Sequence, residues 1–135
     1  MNNNNRKNNI ERISNIKSII VTYENDIIEQ NNKVNNIKTA LIKNITRENI
    51  VNTIKNQKLQ DMSNGTAPIN IDYSIILTLE IIDSYISEIS NEMNIIFQLQ
   101  EERKILENNY HNECEYLKYL ELSLINKQQE LRKYI

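Results

Sequence analysis

The densest grouping of metal-ligand chemistry in the sequence is Glu107, His111 and Glu115, spaced four apart, with Cys114 three after the histidine. On a helix this spacing brings carboxylate, imidazole and thiol onto neighbouring faces. A tetrahedral zinc site needs more cysteine or histidine than one of each, which is all the chain holds. The same residues read more simply as a solvated helix face, with Cys114 a small residue beside a core. No metal and no cofactor is expected. Catalysis is not expected either: no nucleophile is spaced from a base, and a lone glycine makes no phosphate-cradling loop. The lysines and arginines between Arg6 and Lys58 could reach nucleic-acid phosphates. They are spread around the helix, and pairing with an acidic second half accounts for them as well, so nucleic acid is not an expected partner.

The elements that would carry these residues are helical. Gly65 and Pro68 are the only glycine and proline in 135 residues, and a sheet protein of this length needs many more turn residues. The excess of asparagine, isoleucine and lysine points to an AT-rich genome. A single cysteine makes no internal disulfide, which suits a reducing compartment. The Asn44 and Asn64 triplets match glycosylation acceptors, a meaning that depends on secretion. The opening residues lack the apolar core of a signal peptide, and no apolar run reaches membrane-spanning length. An intracellular location, nucleus or nuclear envelope or cytoplasm, is expected, without membrane contact.

Residues 1–9 read as a disordered Asn-rich tail, 10–62 as a basic helix, 63–69 as a turn and 70–135 as an acidic helix. Residues 1–65 hold ten Lys/Arg against six Asp/Glu, and residues 66–135 hold six against twelve. Ile13, Ile20, Ile27, Val34 and Leu41 recur every seven residues, joined by Ile16, Tyr23 and Ile37, with Gln30 and Asn44 breaking the seam. Past Leu41 the phase drifts through Ile45, Ile50, Val51 and Ile54, as a stutter would make it. In the second helix Ile75, Leu79, Ile82, Ile86, Ile89, Met93 and Ile96 form a seam. A shortened step to Leu99 leads on through Arg103, Leu106, Tyr110, Glu113, Leu117, Leu120, Leu124, Lys127 and Leu131. The fold class is therefore all-α, an antiparallel helical hairpin, with facing residue numbers adding to roughly 133 if the turn sits at Gly65–Pro68. That register sets Leu41 against Met93 and Ile13 against Leu120. Tyr73, Tyr85, Tyr110, Tyr116 and Tyr119 are expected as half-buried rim residues. Ile76, Leu77, Ile81, Tyr85, Ile95 and Phe97 lie off the second seam and form a surplus apolar stripe, the expected partner interface.

One resemblance bears on the partner. "VNNIKTALIKNITRENIVNTIKNQK" (34–58), "AP" (67–68), "DY" (72–73) and "HNECEYLK" (111–118) resemble the coiled-coil region of central-channel nucleoporins of the p58/p45 class. The resemblance implies a coiled coil that assembles with two other channel nucleoporins and anchors phenylalanine–glycine repeats in the nuclear pore. The repeats have no counterpart here, since Phe97 is the only phenylalanine.

The expected function is a non-enzymatic coiled-coil scaffold subunit whose partners are other coiled-coil subunits, in a hetero-oligomer or homo-oligomer. A prefoldin-like client-binding hairpin, and an adaptor in a kinetochore, tethering or transcription complex, are the alternatives. Replacing Gly65 and Pro68 with alanine should favour one continuous helix. Small-angle scattering of the double variant tests this, and an unchanged compact hairpin would deny these residues a specifying role.

Overall fold

The computed structural model describes the backbone of residues 3–64 and 71–135, and the side chains of residues 6–62, 80 and 83–135. Two helices account for it: α1 over Asn3–Asn64 and α2 over Ile71–Arg132. They pack against each other as an antiparallel helical hairpin, and no strand occurs among the described residues. Neither helix contains glycine or proline, so no backbone breaker interrupts it. Isoleucine and asparagine are only moderate helix formers, which leaves burial along the seam to supply most of the stability. At the far end of α2, Arg132 sits in the last turn, where the helix dipole favours a cation. Lys133 N–H and Tyr134 N–H then close onto the carbonyls of Glu130 and Leu131 at 3.1 and 3.0 Å.

α1 begins at Asn3, so most of the stretch expected as a disordered tail is helical. Asparagine lowers helix propensity by only a few tenths of a kcal/mol per residue, about 0.7 at most, too little to stop a continuing helix. α1 also continues through Asn64, two residues past its expected end at 62. The turn residues Gly65 and Pro68, and most of the 62–71 segment that a prefoldin-like reading would need as strands, lie outside the described residues.

The chain divides into two compact units, one of Met1–Thr39 with Glu107–Ile135 and one of Ala40–Leu106. In the first unit the seam is the expected one. Ile16, Ile20 and Val34 of α1 and Leu120 of α2 are buried, with Ile13, Tyr23, Ile27, Leu117, Leu124 and Leu131 half-buried around them. Gln30 is buried among them and donates to the Glu113 carbonyl at 2.9 Å and to its carboxylate, while Lys33 reaches that carboxylate at 3.8 Å. Near the chain ends Arg12 donates to the Tyr134 hydroxyl at 3.2 Å and lies over its ring at 5.5 Å.

The second unit corrects two expectations. α1 has no stutter: the seven-residue repeat runs on through Leu41, Asn44, Glu48, Val51, Lys55 and Lys58, while Ile45, Ile50 and Ile54 are exposed. α2 likewise keeps strict register through Tyr85, Ile89, Glu92, Ile96, Leu99 and Arg103, leaving Ile86 and Met93 outside. The reason is the same on both helices. Asn44, Glu48 and Lys58 on α1 and Glu92 and Arg103 on α2 occupy seam positions because they find partners across the pair. Asn44 donates to the Leu99 carbonyl at 2.9 Å and accepts from Arg103 Nε at 2.9 Å. Arg103 also bonds Glu48, whose other oxygen accepts from Gln100 at 2.9 Å. Lys58 pairs with Glu92 at 2.5 Å and Glu88 at 3.3 Å.

These partners also correct the pairing register. Asn44 lies against Leu99 and Arg103, Lys58 against Glu92, and in the first unit Arg12 against Tyr134. Each partner is displaced by about two heptads from the register that centres the pairing on the turn. A shift by whole heptads keeps every seam facing inward, so apolar pattern alone does not choose between the two.

Removing one member of the network leaves the others buried without partners. Arg103→Met should lower stability by about 1–3 kcal/mol. Replacing Asn44, Glu48 and Arg103 together with leucine should leave stability equal or higher, because the desolvation cost disappears with the charges. Urea denaturation of the three proteins reads both outcomes.

Candidate functional site

A two-helix seam leaves two flanks, and in the unit Ala40–Leu106 they differ in chemistry. On one flank a shallow surface pocket is lined by Ala40, Lys43, Asn44 and Arg47 of α1 with Leu99 and Glu102 of α2. Lys58 and Glu88 meet on the same flank. Cations of α1 thus stand beside carboxylates of α2, the usual dressing of a two-stranded coil.

On the opposite flank the equivalent positions are Ile45, Asn52 and Leu59 on α1 and Ile86, Met93 and Gln100 on α2, with Phe97 next to Met93. None is charged. Met93 is 57% exposed and Phe97 62%, and Ile45, Leu59 and Ile86 are exposed as well. In the other unit the equivalent heptad positions are Lys17, Glu24 and Lys38 on α1 and Glu107 and Glu121 on α2, all exposed. The apolar flank is therefore confined to one unit. A flank of this composition is what a further helix needs for burial.

The outermost face of α1 in this unit is also free of charge. Thr46 and Thr53 turn their hydroxyls back to the carbonyls of Ile42 and Asn49, each at 2.8 Å. Their methyl groups join Asn49, Ile50 and Ile54 around a shallow depression. Asn44, part of a glycosylation-type triplet, is 4% exposed with both ends of its amide engaged.

Of the expected interface residues, Phe97 is exposed on the apolar flank, Ile95 is half-buried on the charged one, and Tyr85 is half-buried in the seam. The side chains of Ile76, Leu77 and Ile81 lie outside the described residues. Ile86 and Met93, expected in the seam, belong to the flank instead. The sequence signal that places them is Glu92, which completes the seven-residue repeat between Ile89 and Ile96. Tyr116 and Tyr119, expected as half-buried, are exposed and stacked at 6.1 Å.

Glu107, His111 and Glu115 are exposed and Cys114 is half-buried. Glu115 pairs with Lys118 at 3.3 Å, a contact within α2. Among the described residues no three His, Cys, Asp or Glu side chains gather around a point that could hold a metal. Tyr110 hydrogen-bonds with Cys114, which raises its phenol above the ordinary value of 10.0. Among the described residues no helix is long and apolar enough to cross a membrane. Comparison with protein-family models, curated proteins and solved structures finds no match.

Lys58 supplies a pH test. Its hydrogen bond to Glu92 raises the ammonium above its ordinary 10.5, with burial opposing and Glu88 assisting. A raised lysine contributes stability that is complete below 10.5 and is lost as pH climbs through the higher folded value. Lys58→Met should therefore be less stable than the parent near neutrality, and the gap should close above pH 10.5. Urea denaturation across the alkaline range measures the gap.

Proposed function

We propose that this chain is a non-enzymatic coiled-coil scaffold subunit, which presents the apolar flank of Ala40–Leu106 to other coiled-coil subunits of a larger assembly. The observation that supports this reading is the exposure of Ile45, Leu59, Ile86, Met93 and Phe97 along one side of a helix pair. The opposite flank of the same unit is dressed with paired charges, as a finished coil surface is. Burying exposed apolar surface contributes about 25 cal/mol per Å², the usual driving force for helix association. The seam beneath is held by polar pairs that leave both helices fixed in axial position, so the flank is a preorganised template. The resemblance to channel nucleoporins names the assembly to test first, one in which three coiled-coil chains associate.

Affinity capture of the full chain, followed by mass spectrometry, should recover proteins with long heptad segments in stoichiometric amounts. Placing aspartate at Met93 and Phe97 should abolish capture by at least tenfold while leaving helicity unchanged. A cooperatively melting monomer that captures nothing would refute the proposal.

A further inference from the structure

We infer that this helix pair has a second register, two heptads away, in which the helices overlap almost end to end, and that Glu48 and Glu113 hold the pair out of it. The inference stands whatever covers the apolar flank.

Helix length and register do not match in the structure. α1 over Asn3–Asn64 and α2 over Ile71–Arg132 are both 62 residues long. With facing numbers adding to roughly 133 they would overlap over nearly all of that length. The observed pairs are displaced from this: Asn44 meets Arg103, and Arg12 meets Tyr134. The end of α1 at Asn64 is then level with about residue 83, so residues 71–82 of α2 run past it. At the start of α1, residues 6–12 are all exposed, Ile10 by 65%, as the same displacement requires.

A slide of two heptads restores the missing overlap and keeps every seam position facing inward. Helix pairing therefore favours the slide, and polar seam residues oppose it. Most of them find a new partner. Arg103 would meet Gln30 where Asn44 now stands, and Glu92 would meet Asn44 where Lys58 now stands, so each gains an amide. Lys58 would meet the hydroxyl residues Ser74 and Thr78 in place of Glu88 and Glu92.

Two residues find none. Glu48 now accepts from Arg103 and Gln100, and in the slid pair would face Ile89 and Ile86. Glu113 now accepts from Gln30 and lies beside Lys33, and would face Ile16 and Ile19. Both are carboxylates, which tolerate burial only with donors. Leucine at these two positions removes the obstacle to the slide, and in the observed register it also strips Arg103 of its carboxylate.

Cysteine pairs in a Cys114→Ser background, oxidised with copper–phenanthroline, read the register on material of single-chain mass. Ile96→Cys with Val51→Cys reports the observed register, since the two are one heptad from the Asn44–Arg103 pair. Ile96→Cys with Ile37→Cys reports the slid one. With Glu48 and Glu113 intact, only the Val51 pair should close. In the Glu48→Leu, Glu113→Leu protein the Ile37 pair should close and the Val51 pair should fall at least tenfold. Closure confined to the Val51 pair in that protein would overturn the second register. Loss of helicity by far-UV circular dichroism would overturn it equally, because the slid pair is required to accept leucine at both positions.

Discussion

The structure of the Ala40–Leu106 unit depends on one guanidinium. Arg103 sits in the seam of α2 and reaches both Asn44 and Glu48 on α1. The Asn44 amide is used at both ends, and both Glu48 oxygens accept a bond. A network in which every member is satisfied tolerates burial that an isolated charge does not. It also fixes axial position. Sliding α2 by one heptad in one direction would set Glu48 against Ile96 and Lys58 against Tyr85. In the other direction Lys58 would meet Leu99. Each slip keeps the apolar seams facing but buries a charge without its partner. The network therefore contributes less to stability than to the choice among otherwise equivalent pairings.

Fixed register is what gives the flanks their separate characters. With α1 and α2 locked, carboxylates of α2 fall beside cations of α1 on one side. On the other side apolar residues of both helices line up without a charge between them. Neither helix alone carries that surface: Ile45 and Leu59 come from one strand of the pair, Ile86, Met93 and Phe97 from the other. The flank is thus a product of the register, and a slipped pair would present a different surface.

Much of this was legible in the residues, and the failures have a common cause. The helical period, the scarcity of glycine and proline, and the seam from Ile13 to Ile37 with its match from Tyr110 to Leu131 follow from spacing alone. In the other unit, isoleucine is so abundant that it falls on every face. Counting apolar residues then pulled the phase toward Ile45, Ile50 and Ile54, and toward Ile86 and Met93. The true seam there is built on Asn44, Glu48, Lys58 and Glu92, which a hydrophobic pattern treats as interruptions. Pairing register was illegible for a related reason, since whole-heptad shifts look identical until polar partners are matched across the helices. Of the stripe expected at Ile76, Leu77, Ile81, Tyr85, Ile95 and Phe97, the described side chains put Phe97 on the apolar flank, Tyr85 in the seam and Ile95 on the charged flank.

The burial of Asn44 has a consequence for biosynthesis. Asn44-Ile45-Thr46 is a glycan acceptor triplet, yet the asparagine is 4% exposed and the threonine hydroxyl is turned to the Ile42 carbonyl. Once the helices have closed, an oligosaccharyltransferase finds neither group. Before they close, a chain emerging into a secretory lumen offers both, and a sugar attached there occupies the space that Arg103 and Leu99 fill. A glycan on Asn44 would therefore be incompatible with the closed helix pair.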